Sequence, residues 1–597
     1  MTINASAVPW LRLGIGLIQG LALLILYQAF DDKTWPATDG LVFGPLVVVA
    51  AAIPLLVISG LGNIRLRGLI IWAAIATIGC VGFGIYGIIS DPVIAQSSAA
   101  PTPRIVPTVM ALFSIATILF IVHGFIVAAE ADGRLLAGYP TYFDVFCKHA
   151  VQAGLAAAFV GVFWTLLSLS GELFRLIGIG FLGQLIRRSA FWIPATALAF
   201  SYGIHVTDVQ AAIVRGTRTL GLFLLSWLLP MMALVGAFFV LALPFTGLEP
   251  LWSTRRASGI LLGAAAALIL LINAAFQDGR AENRTVAVLR YASALAAVVV
   301  VPLIVLAGYA LALRIRQYGL TPDRVGVAVC VLVGASFAVG YVVAAARSGV
   351  ELRGVAGTNI VTVLVVVGLL LVLNSPIADP DRLSVADQVS RLQAERISPD
   401  EFDFAFLRFG AGRYGTRALE QLASHAQGPQ AAVIAERAAK ALQATRLAQV
   451  SPPAKEHISA RQRADNITVI APAGGTLPDS FLQQDWSALE PPLPRLLPQC
   501  LVVSVKCDAI IADLDGDGRP EILLFGVGGG AAFKANTAAT WEFVGRIANA
   551  YCVGVREALR AGHFEIAPSV FKEIEANGVR LHIEPGCVPA GLIGPLP

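Results

Sequence analysis

Long apolar runs dominate the first 373 residues of this chain of 597. The runs approach or exceed the length that an α-helix needs to cross about 30 Å of hydrocarbon. They occupy residues 13–30, 41–61, 69–89, 105–128, 150–169, 191–206, 220–243, 260–276, 291–313, 325–345 and 360–373. This pattern predicts a polytopic α-helical membrane protein with about eleven spans, in which residues 1–375 form the transmembrane helical domain.

One further apolar segment leaves the number of spans open. Residues 171–188, GELFRLIGIGFLGQLIRR, are interrupted by glycine and carry Glu172 and Arg175. Almost no loop separates them from the next apolar run. The segment is predicted to be either a re-entrant or interfacial helix or a twelfth span, and the side of the membrane that receives the carboxyl-terminal part depends on this choice.

The pattern changes after Leu373, where polar residues become frequent. Residues 376–450, called the connector below, show helical periodicity from Ser384, and further helices are predicted at 416–425 and 430–445. Between them, SPDEFDFAFLRF predicts a helix opened by a capping box of Ser398 and Glu401. The connector is therefore predicted to be helical.

Residues 466–597, called the module below, alternate short β-branched segments with turns. Strands are predicted in NITVIAP, LVVSVKCDAIIADL, EILLFGV and VRLHIEP, and WEFVGRIANAYCVGVREALRAG is predicted to be largely helical. The module is thus predicted to be a small soluble α+β unit.

Composition and charge agree with this division. Hydrophobic residues make up 56% of the chain and charged residues 14%, and the mean hydropathy is +0.74, which is typical of a membrane protein. Residues 1–375 hold 22 Lys/Arg and 14 Asp/Glu, net +8, whereas residues 376–597 hold 21 and 25, net −4. The positive charge is scattered over short loops, so a nucleic-acid partner is not expected. The expected partner of this part of the chain is the lipid bilayer.

Loop charge orients the first half of the transmembrane domain. Cytoplasmic loops carry an excess of Lys and Arg, and an amino terminus in the cytoplasm places five cations there against two outside. The five are Arg12, Arg65, Arg67, Arg134 and Lys148, and the two are Lys33 and Arg104. In the second half the charges are balanced, so another argument is needed there.

Cysteines supply that argument. Cys500, Cys507, Cys552 and Cys587 all lie in the last hundred residues, which indicates disulfides and hence a periplasmic module. The alternative is four reduced thiols in the cytoplasm. If CLVVSVKC is extended, Cys500 and Cys507 lie about 23 Å apart, so each is expected to pair with Cys552 or Cys587 unless the run bends into a hairpin.

An acidic loop in the module, DLDGDGRPE, has the spacing of a calcium ligand set. Its predicted ligands are Asp513, Asp515, Asp517, the carbonyl of Arg519, and Glu521, and Gly518 permits the reversal of the chain. An EF-hand is excluded because Leu524 stands where the twelfth-position glutamate is required. We predict a structural calcium ion; the alternative is an Asp/Gly turn that only closes a hairpin.

Ionisable residues within the membrane domain are a second candidate site, because such residues are costly there. His123, Glu172, Arg175, His205 and Asp208 could line a polar path or ligand cavity, with Glu172 facing His205. The alternative is that they are interfacial side chains that reach the headgroups.

Several motifs resemble a family of bacterial multi-pass inner-membrane proteins that share domain of unknown function 4153. They include RLLAGYPTYFDVFCKHAVQ, GFLGQLIRRSAFWIPATALAF, YALALRIRQYGLTPDRV and RLSVADQVSRL. The resemblance implies an envelope location and this overall layout, but it carries no activity or catalytic residue.

Two hypotheses about function follow. The first is a non-enzymatic inner-membrane protein whose calcium-stabilised periplasmic module serves envelope assembly, sensing or docking of an envelope protein partner. The alternative is a transporter or channel for a small solute. No HExxH, GxSxG, Walker or Cys-x-x-Cys pattern is present, so nothing in the sequence argues for an enzyme.

Overall fold

The computed structural model describes most of the chain. The described residues are 7–90, 93–94, 102–103, 106–248, 257–279, 286–426, 428–444, 459–486, 497–502, 505–526, 529–536, 540–550, 552, 554–566, 574–576 and 579–581. The chain forms two compact units, Met1–Val450 and Ser451–Pro597, and each is described by itself.

Helices build the first unit. They are α1 (Val8–Asp31), α2 (Gly40–Gly60), α3 (Leu66–Ser90), α4 (Val109–Asp132), α5 (Tyr139–Leu176), α6 (Phe181–Arg187), α7 (Ser189–Val209), α8 (Ala211–Thr246), α9 (Ala257–Phe276), α10 (Ala287–Tyr318), α11 (Pro322–Ser348) and α12 (Val355–Leu373). A two-stranded ladder of β1 (Val93–Ile94) and β2 (Thr102–Pro103) lies between α3 and α4. Within the described residues, ten of these helices are long and apolar enough to cross a membrane, which confirms the polytopic α-helical class.

Helix α7 corresponds to the sixth predicted span and is not one of the ten. Near its carboxyl end, Asp208 Oδ2 lies 2.8 Å from Arg12 Nη2 near the start of α1. Near its amino end, the Trp192 ring lies 6.1 Å from the ring of Tyr27, near the end of α1. Because α7 runs antiparallel to α1 over nearly the whole length of α1, the two helices cross the same layer.

Small residues allow α1 and α7 to pack closely. A methyl group added at Gly16 would lie 2.6 Å from Ser201 Cβ, and one added at Gly20 would lie 2.5 Å from Pro194 Cα. Both distances are shorter than real carbon contacts. Residues 16–20, GLIQG, therefore form a helix-packing surface in which two small residues are separated by three others.

The ambiguous segment at 171–188 is not a twelfth span. Its first residues extend α5 to Leu176, and its last residues form α6, which has seven residues. Seven helical residues rise only about 10 Å. With α7 counted, eleven of the described helices run between the end of the bundle that holds Val8, called the first face, and the opposite end, called the second face.

The connector packs on the second face. It comprises α13 (Pro380–Gln393), a π-helical turn at Phe406–Gly410, α14 (Gly412–His425) and α15 (Ala431–Gln443). Tyr86, near the end of α3, donates a 2.5 Å hydrogen bond to Asp379, the N-cap of α13. Arg391 donates to the carbonyl of Gln317 at the end of α10, at 3.0 Å.

The predicted capping box of the connector is wrong. Ser398 accepts through its backbone carbonyl, not its side chain, from the N–H groups of Glu401 and Phe402, so residues 398–402 form a turn. The side chain of Asp403 instead accepts from Phe406 N–H at 2.8 Å. Phe402 and Phe404 are buried in the connector core, and burial of these rings decides the local conformation over the capping pattern.

The second unit contains a five-stranded sheet in the order β3-β4-β5-β6-β7. The strands are β3 (Ile467–Ala471), β4 (Cys507–Ala512), β5 (Glu521–Gly526), β6 (Gly529–Ala535) and β7 (Trp541–Ile547), and a separate pair is β8 (Ile574–Ala576) with β9 (Val579–Leu581). β3 is parallel to β4, and the other neighbours are antiparallel. The helices are α16 (Ala460–Asn466), α17 (Asp479–Gln483) and α18 (Val555–Arg560). The small α+β module is confirmed.

Residues 541–547 form a strand and not the predicted helix. The side chains of Trp541 and Phe543 pack against the buried core on one face of the sheet, whereas Glu542 and Val544 are exposed. This alternation has the period of two that a half-buried strand requires. In the described part of this stretch, helix is confined to α18, whose Arg556 and Arg560 pair with the buried Asp508 of β4.

The expected disulfide pairing is also wrong. Cys500 and Cys507 are bonded to each other, with their Cα atoms 6.0 Å apart. The run between them is not one extended strand, because Gln499–Leu501 is a 3₁₀ turn and β4 begins only at Cys507. Cys552 is disulfide-bonded too, and Cys587 lies outside the described residues.

Candidate functional site

The acidic loop joins two neighbouring strands of the sheet. β4 ends at Ala512 and β5 begins at Glu521, and these two residues face each other as the last pair of the ladder. Gly516 and Gly518 have φ angles of +76° and +83°, a left-handed conformation that glycine adopts without steric cost. The glycines therefore let the chain fold back within the loop.

Four carboxylates converge inside this loop. One oxygen from each of Asp513, Asp515, Asp517 and Glu521 lies within 4.8 Å of the others. The three aspartates are exposed, whereas Glu521 is 5% exposed. The cluster could hold a metal ion, and oxygen ligands suit hard cations.

Backbone N–H groups fix the aspartate side chains. Gly516 and Gly518 donate to the two oxygens of Asp513 at 2.8 and 2.9 Å. Arg519 donates its N–H to Asp517 at 2.8 Å, so Arg519 lies within the same turn. The loop's own backbone therefore orients these carboxylates without a bound ion.

Glu521 differs from the aspartates because it is buried. Its Oε2 accepts from Leu514 N–H at 2.7 Å. Its Oε1 has no hydrogen-bond partner among the described residues. A buried carboxylate oxygen without a donor is costly, so this atom favours a cation inside the loop.

Lys534 of β6 enters the same cluster, and sequence reasoning missed it. Its ammonium contacts Asp515, lies 2.7 Å from Asp517 Oδ2 and lies 3.9 Å from Glu521 Oε1. The hydrogen bonds to Asp515 and Asp517 raise the pKa of Lys534, and the bond from Lys534 lowers the pKa of Asp517. Ile522 pairs with Phe533 in the β5–β6 ladder, so the next position brings Lys534 opposite Glu521. Only this register could have identified it.

A second polar cluster lies in the bundle near the first face. The guanidinium of Arg12, which is 1% exposed, donates to the carbonyls of Ile58 and Leu61 at 3.1 and 2.6 Å and to Asp208 at 2.8 Å. Asp208 also lies 2.8 Å from Lys148 Nζ and accepts from Gln152 at 3.2 Å. Sequence reasoning identified Asp208 but treated both cations as loop charges.

Histidines lie beside this ion group. His123 receives a hydrogen bond from Trp72 Nε1 at 3.2 Å, contacts Ser59 Oγ at 3.1 Å and packs against the ring of His149 at 5.4 Å. Among the described residues, the buried His149 Nε2 and His205 Nδ1 have no hydrogen-bond partner. The bundle thus contains a polar cluster that is mostly, but not fully, paired.

Glu172 does not face His205, contrary to expectation. Gly203, two residues before His205, packs against Ala156, and Glu172 lies sixteen residues further along α5, or about 24 Å at 1.5 Å per residue. Glu172 pairs with Arg175 at 2.6 Å, and both side chains are more than half exposed. This pair belongs to the second face and not to the histidine cluster.

A cavity of about 380 Å³ lies between α1, α2, α5 and α7. Its lining is mainly apolar and includes Leu55, Val160 and Trp192, and its polar side chains are Gln19 and Thr196. Gln19 donates to the carbonyls of Ala50 and Ala51. The histidines and Glu172 are not part of the lining.

A bundle of helices long and apolar enough to cross a membrane, a helical connector and an α+β unit with an acidic loop define a polytopic membrane protein. The chain belongs to the family described as Domain of unknown function (DUF4153), which matches residues 55–422. The match runs from α2 into α14 and confirms the resemblance of the sequence motifs. Searches of curated proteins and of solved structures gave no match.

Proposed function

We propose that this chain is a non-enzymatic bacterial inner-membrane protein that anchors a calcium-stabilised module in the periplasm. The module would serve envelope assembly, sensing or docking of an envelope protein partner. The observation that carries this proposal is the convergence of four carboxylates within 4.8 Å, one of them buried and lacking a hydrogen bond to one oxygen.

The periplasmic location is supported by counting crossings. Loop charge favours a cytoplasmic first face, and eleven crossings bring the chain to the second face, where Asp379 and Arg391 of the connector contact the bundle. The remaining sequence from residue 445 contains no apolar run of membrane-spanning length. A disulfide between Cys500 and Cys507 suits the same oxidising compartment.

The choice of calcium is supported by the size and chemistry of the cluster. Calcium takes six to eight oxygens at about 2.3–2.6 Å, so ligands on opposite sides of the ion lie about 5 Å apart. The four carboxylate oxygens span at most 4.8 Å. Extracellular calcium modules bind with dissociation constants of about 10⁻⁴–10⁻³ M, and we expect affinity in this range.

Location is tested by fusing alkaline phosphatase or green fluorescent protein after Pro597 in a bacterial host. The proposal predicts phosphatase activity, because this enzyme folds only where its disulfides form. A fluorescent and phosphatase-inactive pair of fusions would place the module in the cytoplasm and overturn the proposal.

Calcium binding is tested by thermal unfolding of the full-length protein in lipid nanodiscs, with tryptophan fluorescence as the signal. Millimolar calcium is expected to raise the unfolding temperature of the wild type but not of Asp515→Asn. Glu557→Gln is the control, since this exposed carboxylate lies on α18, which pairs with the far end of β4. No calcium-dependent shift in the wild type contradicts the calcium assignment.

Docking is tested by chemical crosslinking in intact cells. The full chain is expected to crosslink to a defined envelope protein, and deletion of residues 466–597 should remove that product while the bundle remains in the membrane. Persistence of the product in the deletion variant would assign the contact to the bundle or the connector.

Transport of a small solute is the second candidate, and the unpaired nitrogens of His149 and His205 favour it. A solute path through this cluster predicts that His205→Ala alters flux in proteoliposomes without changing expression. Glu172→Gln serves as the control, because its exposed pair lies far from the cluster. Equal flux in wild type, His205→Ala and protein-free liposomes would exclude this function.

A further inference from the structure

Lys534 lies among the carboxylates that the calcium proposal assigns as ligands. We infer that the Lys534 ammonium is a built-in counter-ion that holds the acidic loop when calcium is absent and is displaced when calcium binds. This inference rests on the proposed calcium site and adds a regulatory step to it.

Calcium can bind in the loop only if it displaces the Lys534 ammonium from its present contacts. Its ammonium contacts Asp515 and lies 2.7 Å from Asp517 Oδ2, so it uses the oxygens that would face the ion. A calcium ion among these oxygens would meet the ammonium at a distance where two positive charges repel strongly. Calcium and the Lys534 ammonium therefore exclude each other.

The contacts of Glu521 indicate that Lys534 does not satisfy every carboxylate oxygen of the acidic loop. Glu521 is buried, and its Oε1 accepts no hydrogen bond among the described residues, with the Lys534 ammonium 3.9 Å away. That distance exceeds the hydrogen-bond range of 2.7–3.2 Å. The loop thus keeps one buried anionic oxygen for a cation that can approach closer than the lysine does.

The Lys534 side chain can also move out of the carboxylate cluster. Its side chain is 32% exposed, and its four-carbon stem is flexible. Glu542 of β7 is its direct cross-strand neighbour on the other side of β6. The ammonium can leave the loop for solvent or for Glu542 without any movement of the strands.

Exchange of one cation for the other makes the loop responsive to calcium concentration. When calcium is scarce, Lys534 neutralises part of the loop's charge, and the hairpin stays folded. When calcium is abundant, the ion replaces this charge and frees the Lys534 side chain near the end of β6. The competition lowers calcium affinity, which places the response at the high concentrations found outside the cytoplasm.

The experiment measures calcium affinity of the full-length protein in lipid nanodiscs by titration calorimetry. Lys534→Met is expected to bind calcium more tightly than the wild type by about fivefold or more. Fivefold is roughly the effect between two unit charges about 4 Å apart in bulk water, and the double charge of calcium increases it. Lys534→Arg, which keeps the charge, should bind no more tightly than the wild type. Lys506→Met is the matched control, because Lys506 precedes β4 at the end opposite to the loop.

Lys534→Gln provides a second neutral variant that keeps a hydrogen-bond donor to the carboxylates, in case Lys534→Met does not fold. Equal affinity in the wild type and both neutral variants overturns the inference and leaves the calcium site standing. Binding by the neutral variants alone would show that Lys534 blocks the loop permanently, and it overturns both the displacement and the calcium assignment of the wild type. No binding by any protein overturns both.

Discussion

Removal of the Asp208 carboxylate should destabilise the bundle strongly. Asp208→Asn leaves the guanidinium of Arg12, which is 1% exposed, without its anionic partner at 2.8 Å. Breaking a buried ion pair by removing one partner costs about 3–5 kcal/mol. Because Asp208 is itself 21% exposed and Arg12 keeps two carbonyl acceptors, we expect the lower end of this range, about 3 kcal/mol.

Thiol labelling of Cys80 measures this loss when the other free thiols of the described residues, Cys147 and Cys330, are replaced by serine in every variant. Cys80 is 1% exposed, so a maleimide in mild detergent reaches it only when the bundle opens. A loss of about 3 kcal/mol corresponds to a roughly hundredfold faster labelling rate when opening is in rapid equilibrium. Glu172→Gln is the control: its pair with Arg175 is exposed, and such pairs contribute at most about 1 kcal/mol.

A labelling rate for Asp208→Asn within about threefold of the wild-type rate would refute the reasoning, since it would correspond to less than about 1 kcal/mol. The double variant Arg12→Met with Asp208→Asn distinguishes the cost of an unpaired buried charge from a general disruption of helix packing. If the cost comes from an unpaired buried charge, removing that charge should recover part of the stability.

Three further predictions concern other contacts. Cys500→Ser should lower the free energy of unfolding of the second unit by about 2–3 kcal/mol through loss of a short closed loop, measured by urea titration; an unchanged midpoint contradicts this. Gly20→Ala should separate α1 from α7 and speed Cys80 labelling, whereas Gly14→Ala, which has open space, should not; equal rates would exclude close packing as the cause. Asn359→Leu breaks hydrogen bonds to Tyr139 and Tyr341 and should cost about 1–2 kcal/mol in the same assay; a rate equal to that of the wild type rejects it.

The spans could be predicted because a bilayer leaves a strong local signal. A run of apolar residues must be helical in hydrocarbon, where each backbone group needs an internal partner. The pairing of the helices leaves no such signal. Arg12 was counted as a loop charge, yet it is buried against α2 and α7. Only the tertiary arrangement brings Asp208 to it across almost two hundred residues.

The α+β class of the module could be predicted from the sequence, whereas strand β7 and the disulfide pairing were not predicted. The alternation of Trp541, Phe543, Gly545 and Ile547 with outward-facing residues is visible in the sequence, and a period-two analysis would have found β7. The disulfide had no comparable signal. Its β-branched spacer favours an extended chain, but the 3₁₀ turn that follows Pro498 shortens the distance between the sulfurs.

The acidic loop illustrates why a ligand motif does not determine affinity. Spacing within DLDGDGRPE specifies where the carboxylates point, because backbone N–H groups of the same turn hold them. The charge that competes for those carboxylates comes from another strand. Lys534 reaches the cluster through the β5–β6 register, and a slip of one residue in that register would turn the lysine to the opposite face of the sheet. The affinity of the loop is therefore a property of the sheet as well as of the motif, and this is why the charge at position 534 tests it more sharply than another change within the loop.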